Sequence, residues 1–229
     1  TLPDYYGLKR LPNLPFPLSS PCLAQGENDS VWFAGGVSPT GVSSSVFFYD
    51  FNTREFVFQE SIPTSQSVST CDFESGTFRV FSRIDNHLVG EQALHRYTPT
   101  THTATIVTVA LDLPITRNGS SHTSHTLGDK VYILGGEVGT AVVNELSVFR
   151  IADTGRLNLS NLGTRFQTPR GSHTSHLSDS LLVVIGGKSG ASPVGLLEVF
   201  QVSSDGRLAA NSDNKTLLEP RYDHTSHSA

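Results

Sequence analysis

The amino-acid sequence predicts an all-β chain in which one four-stranded sheet is built repeatedly. Three observations carry this. An apolar strand closed by paired glycines recurs at Gly35-Gly36, Gly135-Gly136 and Gly186-Gly187, with Ser82 and Arg83 replacing the pair in a degenerate copy. Thirteen residues ahead of each first glycine, or of Ser82, stands an anchor (Cys22, Ser69, His122, His173), and His224 opens a fifth copy. The anchors are spaced by 47, 53, 51 and 51 residues. A fixed period near 50 residues made of short strands is the signature of a β-propeller blade, a sheet that buries its faces only when neighbours fan around a shared axis. No long stretch carries a 3.6-residue apolar period, so little helix is expected.

Within a copy, the first strand is the small polar stretch after the anchor. The second is an apolar run such as Leu181 to Ile185, which stops at the doublet because glycine turns with positive φ and lets backbone pack closely. The third carries an aromatic fourteen residues past the first glycine, at Tyr49, Phe149 and Phe200, or fifteen at Tyr97. Turn residues follow at Asn52-Thr53, Asp153-Thr154-Gly155 and Ser204-Asp205-Gly206, and then a weaker fourth strand.

Taken in order, residues 1–15 are an N-terminal segment standing where an outer strand belongs. They either complete the last sheet of a ring, with Tyr5, Tyr6 and Leu8 as packing residues, or form a disordered leader. Blade 1 spans 16–66, a degenerate blade 2 spans 67–115, blade 3 spans 116–168 and blade 4 spans 169–219, and 220–229 is the first strand of a further blade. In blade 2 the lost glycines should reshape the loop that leaves the second strand. Four blades and a stub leave apolar inner faces open, so roughly one to three more blades are expected in the whole protein. The alternative is a small ring in which the stub pairs with residues 1–15.

Arg170-x-x-His173-Thr174, an apolar strand ending in Gly-Gly, and a tail of the form Tyr49-Asp50-Phe51-Asn52-Thr53-Arg54-Glu55-Phe56 together resemble the Kelch repeat. The resemblance covers about residues 16–229. The family usually has Trp where Phe56 stands; here the single tryptophan, Trp32, lies in the strand before Gly35. The resemblance implies a Kelch-type propeller of six or seven blades that acts as a protein-recognition module or an accessory or scaffold subunit. Some Kelch-like propellers are similar to copper-radical oxidases, which bring Tyr, Cys and two His together. Cys22, Cys71, Tyr49 or Tyr97 and the histidines supply the types, but no local motif joins them. The Kelch subunit of the V(D)J recombinase suggests a further alternative, an accessory propeller of a nucleic-acid enzyme.

A net charge of −5 gives no basic footprint for nucleic acid, so DNA contact would fall to a partner. No apolar run reaches the length of a membrane span. Cys22 and Cys71 fall in inner strands of neighbouring blades, where strands are expected to stand too far apart for a bridge, so two reduced, buried thiols are expected. A cytoplasmic compartment is favoured over secretion, which four Asn-x-Ser/Thr triplets at Asn28, Asn118, Asn158 and Asn214 nonetheless allow.

Chemistry-bearing residues concentrate in one motif. Six of nine histidines lie in three His-Thr-Ser-His segments, 122–125, 173–176 and 224–227. Residues i and i+3 of a strand point to opposite faces, so one segment cannot chelate a metal alone. His125, His176 and His227 could still converge on the axis as a tier for a divalent metal, the one cofactor considered. The other reading is structural: the first His bonds the neighbouring blade's backbone, and the second bridges blades through Ser124, Ser175 or water. Gln25 and Asp72 take the second position in copies one and two. Arg117, Arg170 and Arg221 open the inner strands on the face expected to carry the loops. With Lys188 and Glu137 on the loops after the glycines (37–44, 137–142 and 188–194) they form the expected partner surface, since arginine forks onto carboxylates. The competing role for the arginines is to tie blade to blade. No nucleophile elbow, phosphate-cradling loop or paired carboxylates point to an enzyme.

Overall fold

The computed structural model describes residues 12–19, 21–27, 29–61, 68–74, 77–83, 92–97, 109–111, 121–138, 140–152, 157–178, 180–212 and 214–226. Every regular element among them is a strand. Residues 1–11, including Tyr5, Tyr6 and Leu8, lie outside this set, as do Arg117, His227 and the loop positions of copy two.

Four sheets follow one another, each antiparallel. Sheet 1 comprises β1 (Cys22–Gln25), β2 (Ser30–Ala34), β5 (Ser45–Asp50) and β6 (Glu55–Ser61), hydrogen-bonded in that order. The hairpin strands β3 (Val37–Ser38) and β4 (Gly41–Val42) are inserted between β2 and β5. Sheet 2 is β7 (Val68–Glu74), β8 (Thr77–Arg83), β9 (Gln92–Tyr97) and β10 (Val109–Leu111). Sheet 3 is β11 (Thr123–Leu127), β12 (Lys130–Leu134), β15 (Glu145–Ile151) and β16 (Leu157–Arg165), with the hairpin β13 (Glu137–Val138) and β14 (Ala141–Val142). Sheet 4 is β17 (Thr174–Leu177), β18 (Leu181–Ile185), β21 (Leu196–Val202) and β22 (Leu208–Ala210), with the hairpin β19 (Lys188–Ser189) and β20 (Ser192–Pro193). The short β23 (Lys215–Thr216) also pairs with β21. First strands of consecutive sheets lie side by side: β1 against β7, β7 against β11, and β11 against β17. The His-Thr-Ser-His segments that lead into β11 and β17 therefore lie along this shared edge.

Alternating burial shows why these runs are strands: β2 reads buried at Ser30, Trp32 and Ala34 and half-buried between, so both faces meet protein. The core lies between sheets. Trp32, Val46, Cys71, Phe78 and Val80 fill the space between sheets 1 and 2, where the indole stacks on Phe48 at 4.8 Å and meets Phe78 at 5.0 Å and Phe73 at 5.8 Å. Tyr132, Leu134, Val148, Phe166, Leu182, Val184 and Phe200 do the same between sheets 3 and 4. Tyr132 holds in sheet 3 the place of Trp32, three residues before the doublet, and its hydroxyl donates to the Gly206 carbonyl of sheet 4 at 3.1 Å. Phe56 packs on Tyr49 with ring centroids 4.9 Å apart.

The glycine doublets turn the chain as expected, with φ of 66° and 93° at Gly35-Gly36, 53° and 97° at Gly135-Gly136, and 63° and 104° at Gly186-Gly187. A methyl on Gly135 would stand 2.5 Å from the Arg170 carbonyl oxygen, and one on Gly186 would stand 2.6 Å from that of Arg221. After each doublet the expected loop is a two-stranded hairpin closed by equivalent bonds: Ser43, Val143 and Val194 donate to the carbonyls of Gly36, Gly136 and Gly187. In copy two β8 runs straight through Ser82 and Arg83, paired to Ala93 and Gln92, because neither residue favours the left-handed turn.

Two further expectations are corrected. Cys22 and Cys71 form a disulfide, with Cα atoms 5.8 Å apart. First strands of adjacent sheets run close enough to be bridged, so the two thiols are not free. The fifth copy, 221–226, forms no strand, yet it occupies the place of one: Gly187 N–H donates to the Arg221 carbonyl (2.8 Å) as Gly136 N–H donates to that of Arg170 (2.9 Å).

Candidate functional site

Side chains along the shared edge meet their counterparts in the next unit through a repeated constellation, which we call a seam. Between sheets 3 and 4 the Ser175 hydroxyl donates to Thr123 Oγ1 at 2.6 Å, His125 Nε2 lies 2.7 Å from Ser175 Oγ, and His173 Nε2 lies 3.0 Å from Thr123 Oγ1. Fifty-one residues on, Ser226 donates to Thr174 Oγ1 at 2.7 Å, His176 Nε2 lies 2.6 Å from Ser226 Oγ, and His224 Nε2 lies 3.1 Å from Thr174 Oγ1. Each serine commits its one proton to threonine, so His125 and His176 must act as donors through Nε2. The two histidines of a segment thus face opposite neighbours: His173 reaches back to sheet 3, and His176 reaches forward to 226. His173 and His224 bond threonine side chains through Nε2, where the sequence suggested neighbouring backbone.

Burial pushes the His125 imidazole down to about 4, His176 adds repulsion, and hydrogen bonding at Ser175 opposes both. His224 is also lowered, by burial first and then Arg221, against the pull of Asp223. Of the metal tier, His125 and His176 are each bonded to a serine of the next unit, and His227 lies outside the described residues. Among the described residues no group of three or more His, Cys, Asp or Glu could hold a metal ion.

Strand register also relocates the copy-one residues. Cys22 pairs with Ala34 as Thr123 pairs with Leu134 and Thr174 with Ile185, while Cys71 pairs with Val80 as Ser175 pairs with Val184. Cys22 therefore stands in the threonine position of the seam and Cys71 in the serine position. The residue facing Trp32, as His125 faces Tyr132, is Ala24 and not Gln25. The longer turn between β1 and β2 absorbs one extra residue, which counting back from the glycines cannot see.

The arginine face differs from the expectation more sharply. Arg170 is fully buried and unavailable to a partner of this chain. Its guanidinium donates to the carbonyls of Gly186 (3.1 Å) and Leu196 (2.8 Å), pairs with Glu198 Oε2 at 2.6 Å, and lies over the Phe166 ring at 5.1 Å. Glu198 Oε1 also accepts from Gln167 N–H at 2.7 Å. Burial pushes the carboxyl up and the guanidinium down, while their opposite charges resist both changes. Arg221 is exposed; its Nε donates to the Glu219 carbonyl at 3.2 Å and its guanidinium stands 3.7 Å from Glu219 Oε2. Lys188 stands 5.7 Å from the Tyr222 ring centroid, and Glu137 pairs across its hairpin with Val142. The sequence reading missed Glu198, whose only signal was one charge at an inward position of an apolar strand, and missed Thr123 and Thr174 as seam acceptors.

These sheets and seams define an all-β protein built from serial four-stranded antiparallel sheets, and among the described residues no helix is long and apolar enough to cross a membrane. No family model matches the chain, and no curated protein matches it in sequence. Solved structures match it in fold. One, described as "Structure of YjhT", superposes with a TM-score of 0.66 at 15% identity, covering 93% of this chain and 69% of that one. At that identity the likeness concerns the fold alone.

Proposed function

We propose that the chain is part of a Kelch-type β-propeller that serves as a protein-recognition module or accessory subunit, and that the partner docks on the hairpins following the glycine doublets. One observation carries this reading: a constant backbone frame displays different side-chain pairs. The equivalent cross-strand pairs are Val37 with Val42, Glu137 with Val142, and Lys188 with Pro193. Val37 and Val42 are 50% and 46% exposed, although each is a large apolar residue in a paired strand. The Nε2 atoms of His125, His173, His176 and His224 and the guanidinium of Arg170, by contrast, are bonded inside the chain. A rigid scaffold carrying variable, exposed hairpin tips suits recognition. Photo-crosslinking residues placed at Val42 and Lys188 should capture a common polypeptide, and the same residue at Leu159 on β16 should not. Equal capture from all three positions, or none, removes the hairpin surface as the docking face.

A further inference from the structure

We propose that Cys22–Cys71 is a reversible thiol–disulfide site: a covalent form of the seam contact, opened by a dithiol reductant to loosen the joint between sheets 1 and 2 while the chain stays folded. The inference rests on position and does not depend on the recognition reading. Register places the two sulfurs where Thr123 and Ser175, and again Thr174 and Ser226, share a hydrogen bond. Two other joints of this architecture are therefore held at that point without a covalent link, by a hydroxyl pair flanked by histidines. A thiol pair is a small, soft replacement for the hydroxyl pair, so the reduced seam has room for both side chains but gains only a weak hydrogen bond. Trp32, Phe78 and Val80 are buried between the sheets around the pair, and none of these side chains takes part in the S–S bond itself.

Access is asymmetric. Cys71 is 8% exposed and belongs to the core cluster, whereas Cys22 is only partly buried against it. The incoming thiolate attacks Cys22 Sγ, the S–S bond breaks, and Cys71 Sγ leaves as a thiolate that takes up a proton. The second thiol of the reductant then displaces Cys22 from the mixed disulfide. Two electrons pass to the protein, the reductant becomes a cyclic disulfide, and both cysteines end as thiols.

The test compares the oxidised and the dithiothreitol-reduced chain by hydrogen exchange, with intact mass reporting the two hydrogens gained. Backbone amides of β1 and β7 should exchange roughly tenfold faster or more after reduction, while those of β11 and β17 keep their rates. The double variant Cys22→Thr/Cys71→Ser should restore a hydroxyl seam and respond to reductant in neither sheet. Its melting temperature should exceed that of Cys22→Ala/Cys71→Ala. The proposal is overturned by purified chain that carries two thiols under air, by reduction that unfolds all four sheets together, by unchanged exchange at β1 and β7, or by a Thr/Ser variant no more stable than the Ala/Ala one.

Discussion

Arg170 and Glu198 meet at 2.6 Å with side-chain exposures of 0% and 2%, so an arginine that looked like a rim contact is the clamp that holds the end of sheet 4. Removing one partner leaves the other charged in a dry site, which typically costs about 3–5 kcal/mol. Arg170→Met and Glu198→Leu should each lower the unfolding free energy measured in urea by an amount of that order. The double variant should recover much of the loss, because an apolar pair leaves no orphan charge. A double variant as unstable as the sum of the singles would show that the carbonyl contacts to Gly186 and Leu196 dominate.

Gly186→Ala places a methyl 2.6 Å from the Arg221 carbonyl and imposes φ of 63° on an L-residue. A loss of about 3 kcal/mol or more is expected from the two effects together. Gly190, at φ 59° with open space around its Cβ direction, isolates the dihedral cost. Gly190→Ala should therefore lose only about 1 kcal/mol. Thermal melts of both variants read the difference directly.

Acid should weaken the chain through His125. Its folded value of about 4 lies below the ordinary 6.5, so the unfolded state binds the extra proton first. The stabilisation is complete above pH 6.5 and is lost as pH falls toward about 4, below which this residue adds no further loss. The full effect is on the order of 3 kcal/mol, and His224 contributes with the same sign. His125→Gln should flatten the decline in the denaturant midpoint between pH 7 and pH 4; an equally steep decline assigns the acid sensitivity to other groups.

Tyr132→Phe deletes the 3.1 Å bond to the Gly206 carbonyl and leaves the ring in place. About 1 kcal/mol should be lost, seen as a small fall in melting temperature. A loss several times larger would mean that the hydroxyl orders the whole turn at Gly206.

Strand order within each sheet was legible because alternation and the doublets are local signals: Gly135-Gly136 and Gly186-Gly187 ended their strands where the period said they should. Residue roles at the edge depended on register. One added residue in the turn after Gln25 moved Cys22 from a histidine position to a threonine position, and with it the disulfide became possible. Arg170 was misread for another reason. Its burial depends on Glu198, 28 positions away, and on two backbone carbonyls, neither of which a local motif encodes. The seam threonines, Thr123 and Thr174, were hidden between more conspicuous histidines.

The repeated seam has a mechanical corollary. Pulled from its two ends, the chain would carry the same tension through every joint, and the joints are unequal: a covalent sulfur link binds sheets 1 and 2, whereas threonine–serine hydroxyl bridges close the joint of sheets 3 and 4 and that of sheet 4 with residues 221–226. Extension should thus proceed in discrete steps from the His224 side, with residues 22–71 withheld from the measured contour length until a reductant is added.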